Sequence, residues 1–326
     1  MLRFVLVLYF ASLSFNSQAE WIYKTDAIMG TEISVYLWHD EAVVGEQAAL
    51  AVMAEMRRID QWLSPWIETS ELYKVNQQAA SAPIAISEPL ADLIARSIYY
   101  SELSGGAFDI TFASVGFSYD YRAKVQPSDA DRERLLPAIN YKLLTLDLDK
   151  LTLAYGHPDI RIDLGGIAKG YAVDRAVEVL QGFGVTHATV SAGGDSRLLG
   201  DKRGRPWIVG VKNPRDEKAM ALKLPLDNTA ISTSGDYERF FVDEATGERI
   251  HHIINPQTGK ATRGITSVTV LGQQGFDTDP LSTTVFVLGV VKGLALIEQL
   301  PGFDVIIIDS SGKMHFSSGL MPPAEN

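Results

Sequence analysis

The stretch IRIDLGGIAKGYAVDRAVEVL, Ile160 to Leu180, bears most directly on the fold. It reads as a strand through Asp163, then a Gly165-Gly166 pair, then a helix from about Ile167 with Lys169 close to its start. Two readings of the turn are open. Backbone N–H groups at the helix start, with Lys169 adding charge, suit a phosphate. Alternatively, the glycines only permit tight strand–helix packing. Neither this pair nor Gly193-Gly194 has the G-x-G-x-x-G spacing of a dinucleotide fold.

Working outward, TEISVYLW (Thr31 to Trp38) alternates as a strand. Asp40 to Ser64 has apolar residues at helical spacing, with Asp40 as N-cap. Ser87 to Gly106 predicts a second amphipathic helix, capped by Ser87 and closed by Gly105-Gly106. Ala130 to Tyr155 reads as polar turns and short strands. HATVSAGGDSRLLG, RPWIVGVKNP, MALKLPLDNTAISTSG, YERFFVDEATGERIHHIINP and ITSVTVLG read as strands separated by turns. Helices are expected from about Asp279 to Gly289 and near Lys292 to Leu300, before a hairpin that turns at Ser310-Ser311-Gly312. Strands and helices do not alternate strictly. The fold class is therefore α+β with mixed or antiparallel sheets, not a doubly wound parallel sheet.

The 326 residues are 46% hydrophobic and 21% charged, enough for the core of one large domain or two intimate ones. A net charge of −11 argues against binding nucleic acid or an anionic membrane. An anionic small ligand would need a metal or a local basic group to offset that field. MLRFVLVLYFASLSFNSQAEW has a basic Arg3, an apolar run from Phe4 to Leu13 and small residues at Ser17 and Ala19. It reads as a signal peptide, residues 1–19, cleaved after Ala19. The other reading, a membrane anchor, suffers from the shortness of the run. Residues 20–326 are then expected to be a soluble periplasmic protein. With no cysteine, neither N-terminal lipidation nor disulfides are available. No later segment is expected to cross a membrane.

Asp279 and Thr283 lie four apart, so on a helix they share a face. Carboxylate and hydroxyl are hard oxygen ligands suited to Mg²⁺. Otherwise Asp279 is an N-cap and Thr283 a surface residue; Asp277 competes for the same role. His252 precedes an apolar pair and an N-P-x-T-G turn, and it either handles a proton or is structural. Adjacent His251 and His252 on a strand face opposite ways, so one at most lines a given pocket. Ser232, Thr233 and Ser234 either bond phosphate or form a turn. The six histidines show no zinc spacing, and no G-x-S-x-G is present.

In one order along the chain, eight blocks resemble the ApbE family, the FAD:protein FMN transferases. They are MGTEISVYL (from Met29), SELYKVN (from Ser70), GAFDIT (from Gly106), IDLGGIAKGYAVDRA (from Ile162), VSAGGD (from Val190), STSGDYER (from Ser232), HIINPQTG (from His252) and DPLSTTVFVLG (from Asp279). The resemblance implies an ApbE-like, T-fold-like α+β architecture of two intimate subdomains with the site in the cleft between them. It implies Mg²⁺-dependent transfer of FMN from FAD to a Thr or Ser hydroxyl, releasing AMP. The implied acceptor is a flavin-carrying subunit of a membrane redox complex. Some members mainly hydrolyse FAD to FMN and AMP, so an FAD pyrophosphatase is one alternative; a non-enzymatic periplasmic FAD-binding protein is another.

By position, Met29 and Trp66 resemble flavin-ring contacts, with Trp66 where the family often has Tyr. Ala107, Phe108, Asp109, Asp163, Lys169 and Ile254 resemble further FAD contacts. The Gly166 carbonyl, Asp279 and Thr283 resemble the metal site, and Asp279 also counts as catalytic. His252 matches a histidine proposed to activate the acceptor hydroxyl. Ser282 stands where some members have another acidic ligand. Asn255 replaces a usual Asp, and Ile110 a frequent Pro.

Overall fold

A computed structural model describes residues 19–321. The reading of residues 1–18 as part of a signal peptide lies outside the described residues. Eight strands form one sheet: β1 (Glu20–Ile28), β2 (Thr31–His39), β3 (His187–Ala192), β4 (Asp195–Leu199), β5 (Ala230–Gly235), β6 (Ile265–Gly272), β7 (Asp304–Asp309) and β8 (Met314–Phe316). Each pairs with the next in chain order, and every pairing is antiparallel. Of the two sheet types expected, the described strands use only the antiparallel one.

The helices arrive in the long excursions between strands. Here they are α1 (Ala42–Leu63), α2 (Glu88–Leu103), α3 (Ala168–Gly182) and α4 (Gly275–Ile297). Helix α1 packs on β1, β2 and α3, while α4 packs on α3, β5 and β6. Every residue of β6 is buried, because apolar side chains cover both of its faces. Opposite the helices, the hairpin of Trp207–Asn213 and Asp216–Leu226 brings Trp207 against Leu198, Ile231 and Leu271. A separate apolar cluster joins Val115, Tyr119, Leu135, Phe241, Ile250 and Ile254.

Several local expectations change. Ile160–Leu164 forms no strand and joins no sheet. Side chains satisfy its backbone instead: Asn76 Oδ1 accepts from Ile162 N at 2.8 Å, and Asn76 Nδ2 donates to the Ile162 carbonyl at 2.9 Å. Ser114 Oγ accepts from Arg161 N at 3.0 Å. Alternation marks extended backbone, and here the partner is a buried amide rather than a strand. The cap position of α1 is Glu41, not Asp40, whose carboxylate accepts from Trp38 Nε1. Ser87 does precede α2, but its hydroxyl donates to Glu71.

A short helix, Asp129–Leu135, opens the segment read as turns and strands, and another covers Glu71–Gln78. Helix α4 begins at Gly275, four residues before the expected start, because Asp174 of α3 accepts from Gly275 N and Phe276 N, both at 2.9 Å. Its two expected helices are joined end to end across Gly289, which takes φ 78°. By length and composition α4 could cross a bilayer, contrary to expectation. In this fold it carries Asp279 and packs on the sheet.

Candidate active site

Helices α3 and α4 cross where Gly170 meets Gly275. A Cβ on Gly170 would sit 2.0 Å from the Gly275 carbonyl oxygen and 2.7 Å from Asp279 Cβ. The missing side chain therefore lets α4 deliver Asp279 to the start of α3. Asp279 Oδ2 accepts from Gly170 N at 2.9 Å, and Oδ1 lies 3.6 Å from Lys169 Nζ. Lys169 Nζ also donates to Asp195 Oδ2 at 2.5 Å. Asp195 starts β4 directly after the Gly193-Gly194 turn, so that pair shapes a hairpin instead of opening a helix.

Charge in this triad is finely set. Burial, then the neighbouring Asp195 carboxylate, push Asp279 up to about 7, against the pull of Lys169 and the Gly170 N–H. For Lys169 burial opposes the charge, but Asp195 and Asp279 outweigh it and hold the ammonium above its ordinary range. Asp277 does not compete: it accepts from Tyr100 Oη at 2.8 Å and pairs with Arg96 at 3.3 Å.

Thr283 lies one turn beyond Asp279, with its Oγ1 3.3 Å from Ser234 Oγ of β5. Ser282 Oγ donates to the Asp279 carbonyl and lies 2.8 Å from Ser234 Oγ. The Gly166 backbone abuts both Thr283 and Phe108: a Cβ there would lie 3.5 Å from Thr283 Oγ1 and 3.2 Å from the Phe108 ring. The structure thus brings Gly166, Thr283 and buried Phe108 together beside the Asp279–Lys169 pair. Asp163, held above its usual range chiefly by burial, folds back to accept from Gly165 N at 2.6 Å.

His252 follows the strand Arg249–His251, and its backbone N–H donates to the Arg239 carbonyl at 3.0 Å. Its Nδ1 is buried without a hydrogen-bond partner. Burial, then the charge of Arg239, lowers its pKa to about 3, so the ring is neutral. His251 points the other way, with Nε2 2.7 Å from the Thr262 carbonyl.

Other expected contacts stand apart from this group. Met29 occupies the β1–β2 turn with φ 55°. Trp66 is 68% exposed and tilts against Phe117 at 4.7 Å. Ala107 is buried. Both Asp109 oxygens hold the local loop, accepting from Thr111 N, Thr111 Oγ1 and Tyr141 N. The Ile254 side chain is buried in the separate apolar cluster, and its backbone pairs with Ala261. Asp195 and Arg239 were given no role from sequence, although VSAGGD and STSGDYER contain them.

The cluster offers the Asp279 carboxylate and the Thr283 hydroxyl, with the Gly166 backbone against Thr283. Among the described residues no group of three or more His, Cys, Asp and Glu side chains could enclose a metal by itself. That donor set fits a hard cation whose shell is completed by water and ligand phosphates.

An antiparallel α+β scaffold that buries the Asp279 carboxylate beside Lys169, with the Thr283 hydroxyl one turn on, is the arrangement to be placed among known proteins. The family follows from comparison. The ApbE family model matches residues 29–307, and the chain belongs to that family. It is 31% identical over 321 residues to the FAD:protein FMN transferase of Treponema pallidum, covering 91% of this chain and 87% of the relative. To the FAD:protein FMN transferase of Vibrio cholerae it is 30% identical over 314 residues, covering 93% of each. The crystal structure of the ApbE protein from Thermotoga maritima superposes with a TM-score of 0.85 at 33% identity, covering 92% of this chain and 98% of that one. The flavin transferase ApbE from Vibrio cholerae gives 0.81 at 27% identity, with the same coverage.

Proposed function

We propose that this chain is an FAD:protein FMN transferase, an enzyme that moves FMN from FAD onto a Ser or Thr hydroxyl of an acceptor protein and releases AMP. The observation that carries this reading is the near full-length match to transferases of that name, spanning 91% of this chain for the Treponema relative. Asp279, Thr283 and the Gly166 carbonyl would hold Mg²⁺. When bound, the cation neutralises charge growing on the diphosphate oxygens and aligns them for displacement.

The chain's own residues do the rest. Asp279 is kept in place by Gly170 N and Lys169. Phe108 and the Gly165-Gly166 turn form a wall beside it, with Asp163 shaping that turn, and Ala107 leads into Phe108. Met29 and Trp66 offer apolar surface for the isoalloxazine, and Ile254 contributes backbone. His252 accepts the proton of the acceptor hydroxyl. Its Nδ1 has no hydrogen-bond partner, and an anionic diphosphate alongside would raise the basicity of the ring above the low value that burial and Arg239 set. The hydroxyl oxygen then bonds to the FMN phosphorus as the P–O bond to AMP breaks. The acceptor is a subunit of a membrane redox complex, and the enzyme works in the periplasm after loss of residues 1–19.

The test is incubation of the protein with FAD and Mg²⁺, with and without a Ser/Thr-containing acceptor. Covalent flavin on the acceptor is expected. Free FMN in both tubes with an unlabelled acceptor indicates a pyrophosphatase, and intact FAD in both indicates a binding protein.

A further inference from the structure

A diphosphate needs positive charge, and the lysine of this site is already engaged. Lys169 sits against Asp195 at 2.5 Å and near Asp279 at 3.6 Å. Asp163 adds a third carboxylate close by. One other cation bears on the same groups. Arg239 lies in the turn between β5 and the strand Phe240–Val242, and it makes no ion pair among the described residues. Its guanidinium reaches only the Gly30 carbonyl, at 3.5 Å, the outer limit of a hydrogen bond.

The guanidinium lies against the Met29–Gly30 turn: a Cβ at Gly30 would come within 2.9 Å of Arg239 Nη2. The Arg239 carbonyl is fixed by the His252 N–H. The exposed guanidinium thus stands between the turn that carries Met29 and the segment that carries His252. Its charge also acts on Asp163, Lys169 and His252.

Building on the FAD reading above, we propose that Arg239 binds the FAD diphosphate, its planar fork taking the non-bridging oxygens. Arginine suits this task because two parallel N–H groups match two phosphate oxygens and the group stays charged at any working pH. It also answers how a chain of net charge −11 holds a dianion: among the described residues Arg239 has no carboxylate partner, and its charge is available to a phosphate.

The test measures binding of FAD and of riboflavin, which lacks phosphate, by flavin fluorescence in chelator-containing buffer. Wild type, Arg239→Lys and Arg239→Ala are compared over a range of salt. Arg239→Ala is expected to weaken FAD binding about 10- to 100-fold, as for a lost charge-assisted hydrogen bond, with riboflavin binding and melting temperature unchanged. Arg239→Lys should fall between, and salt should weaken FAD binding less in the alanine variant. If wild type and Arg239→Ala bind FAD equally, the Arg239 assignment alone is overturned. If FAD and riboflavin weaken together, Arg239 only props the Met29 turn, and the assignment is likewise overturned. A wild type that binds no FAD overturns the flavin reading as well.

Discussion

At Asp279 a carboxylate is buried beside another carboxylate and answered by a single lysine. Asp279→Ala should lose about 10²–10⁴-fold in turnover, the several kcal/mol expected of a metal-held phosphoryl group, and should lose Mg²⁺ binding in titration calorimetry. An unchanged rate would remove it from the site. The raised pKa gives a sign for pH: protons compete with the cation from about 7 downward, not from the usual carboxylate range. Mg²⁺ affinity measured between pH 8 and pH 5 should therefore fall steadily, with proton release on binding. His252→Ala should bind FAD normally yet transfer roughly 10²–10⁴-fold more slowly; full transfer activity would end its role as base. The i, i+4 relation of Asp279 and Thr283 could be read from spacing, since one helix turn fixes it. Asp195 could not, because its partner Lys169 is 26 residues away and the contact exists only once β4 and α3 have packed.

Elements are held here by side chains as much as by ladders. Asn76 replaces a neighbouring strand for Ile162 by serving both its N–H and its carbonyl, and it also accepts from Tyr155 Oη at 3.1 Å. Asn76→Ala should destabilise the protein by about 2–4 kcal/mol, since at least two buried groups lose partners at about 1–3 kcal/mol each. Urea unfolding would read it, and a midpoint equal to wild type would refute the bridging role. Such a bridge is invisible to periodicity, which is why the opening stretch looked like a sheet strand. The start of α4 misled for a similar reason. Asp279-Pro280 has the look of a cap followed by a first-turn proline, while the real cap, Asp174, is a hundred residues earlier in the chain.

Across the whole molecule, eight antiparallel strands run in chain order, and the functional groups hang on the excursions between them. The α+β class was legible, with antiparallel pairing one of the two sheet types it allowed, because strand runs follow one another without regular helical crossovers. The site was legible only in its blocks, since what unites Gly166, Lys169, Asp195 and Asp279 is the crossing of α3 over α4. If that crossing holds cation and dinucleotide together, adding Mg²⁺ to FAD should raise the melting temperature of wild type further than FAD alone, and should add nothing for Asp279→Ala, because only ligands bound to the folded state stabilise it. The most direct measurement is anomalous diffraction from crystals soaked with Mn²⁺ and FAD. The account predicts one metal peak coordinated by the Asp279 carboxylate, Thr283 Oγ1 and the Gly166 carbonyl, touching the diphosphate. A cation bound elsewhere, with Asp279 left to Lys169 and Gly170 alone, would contradict it.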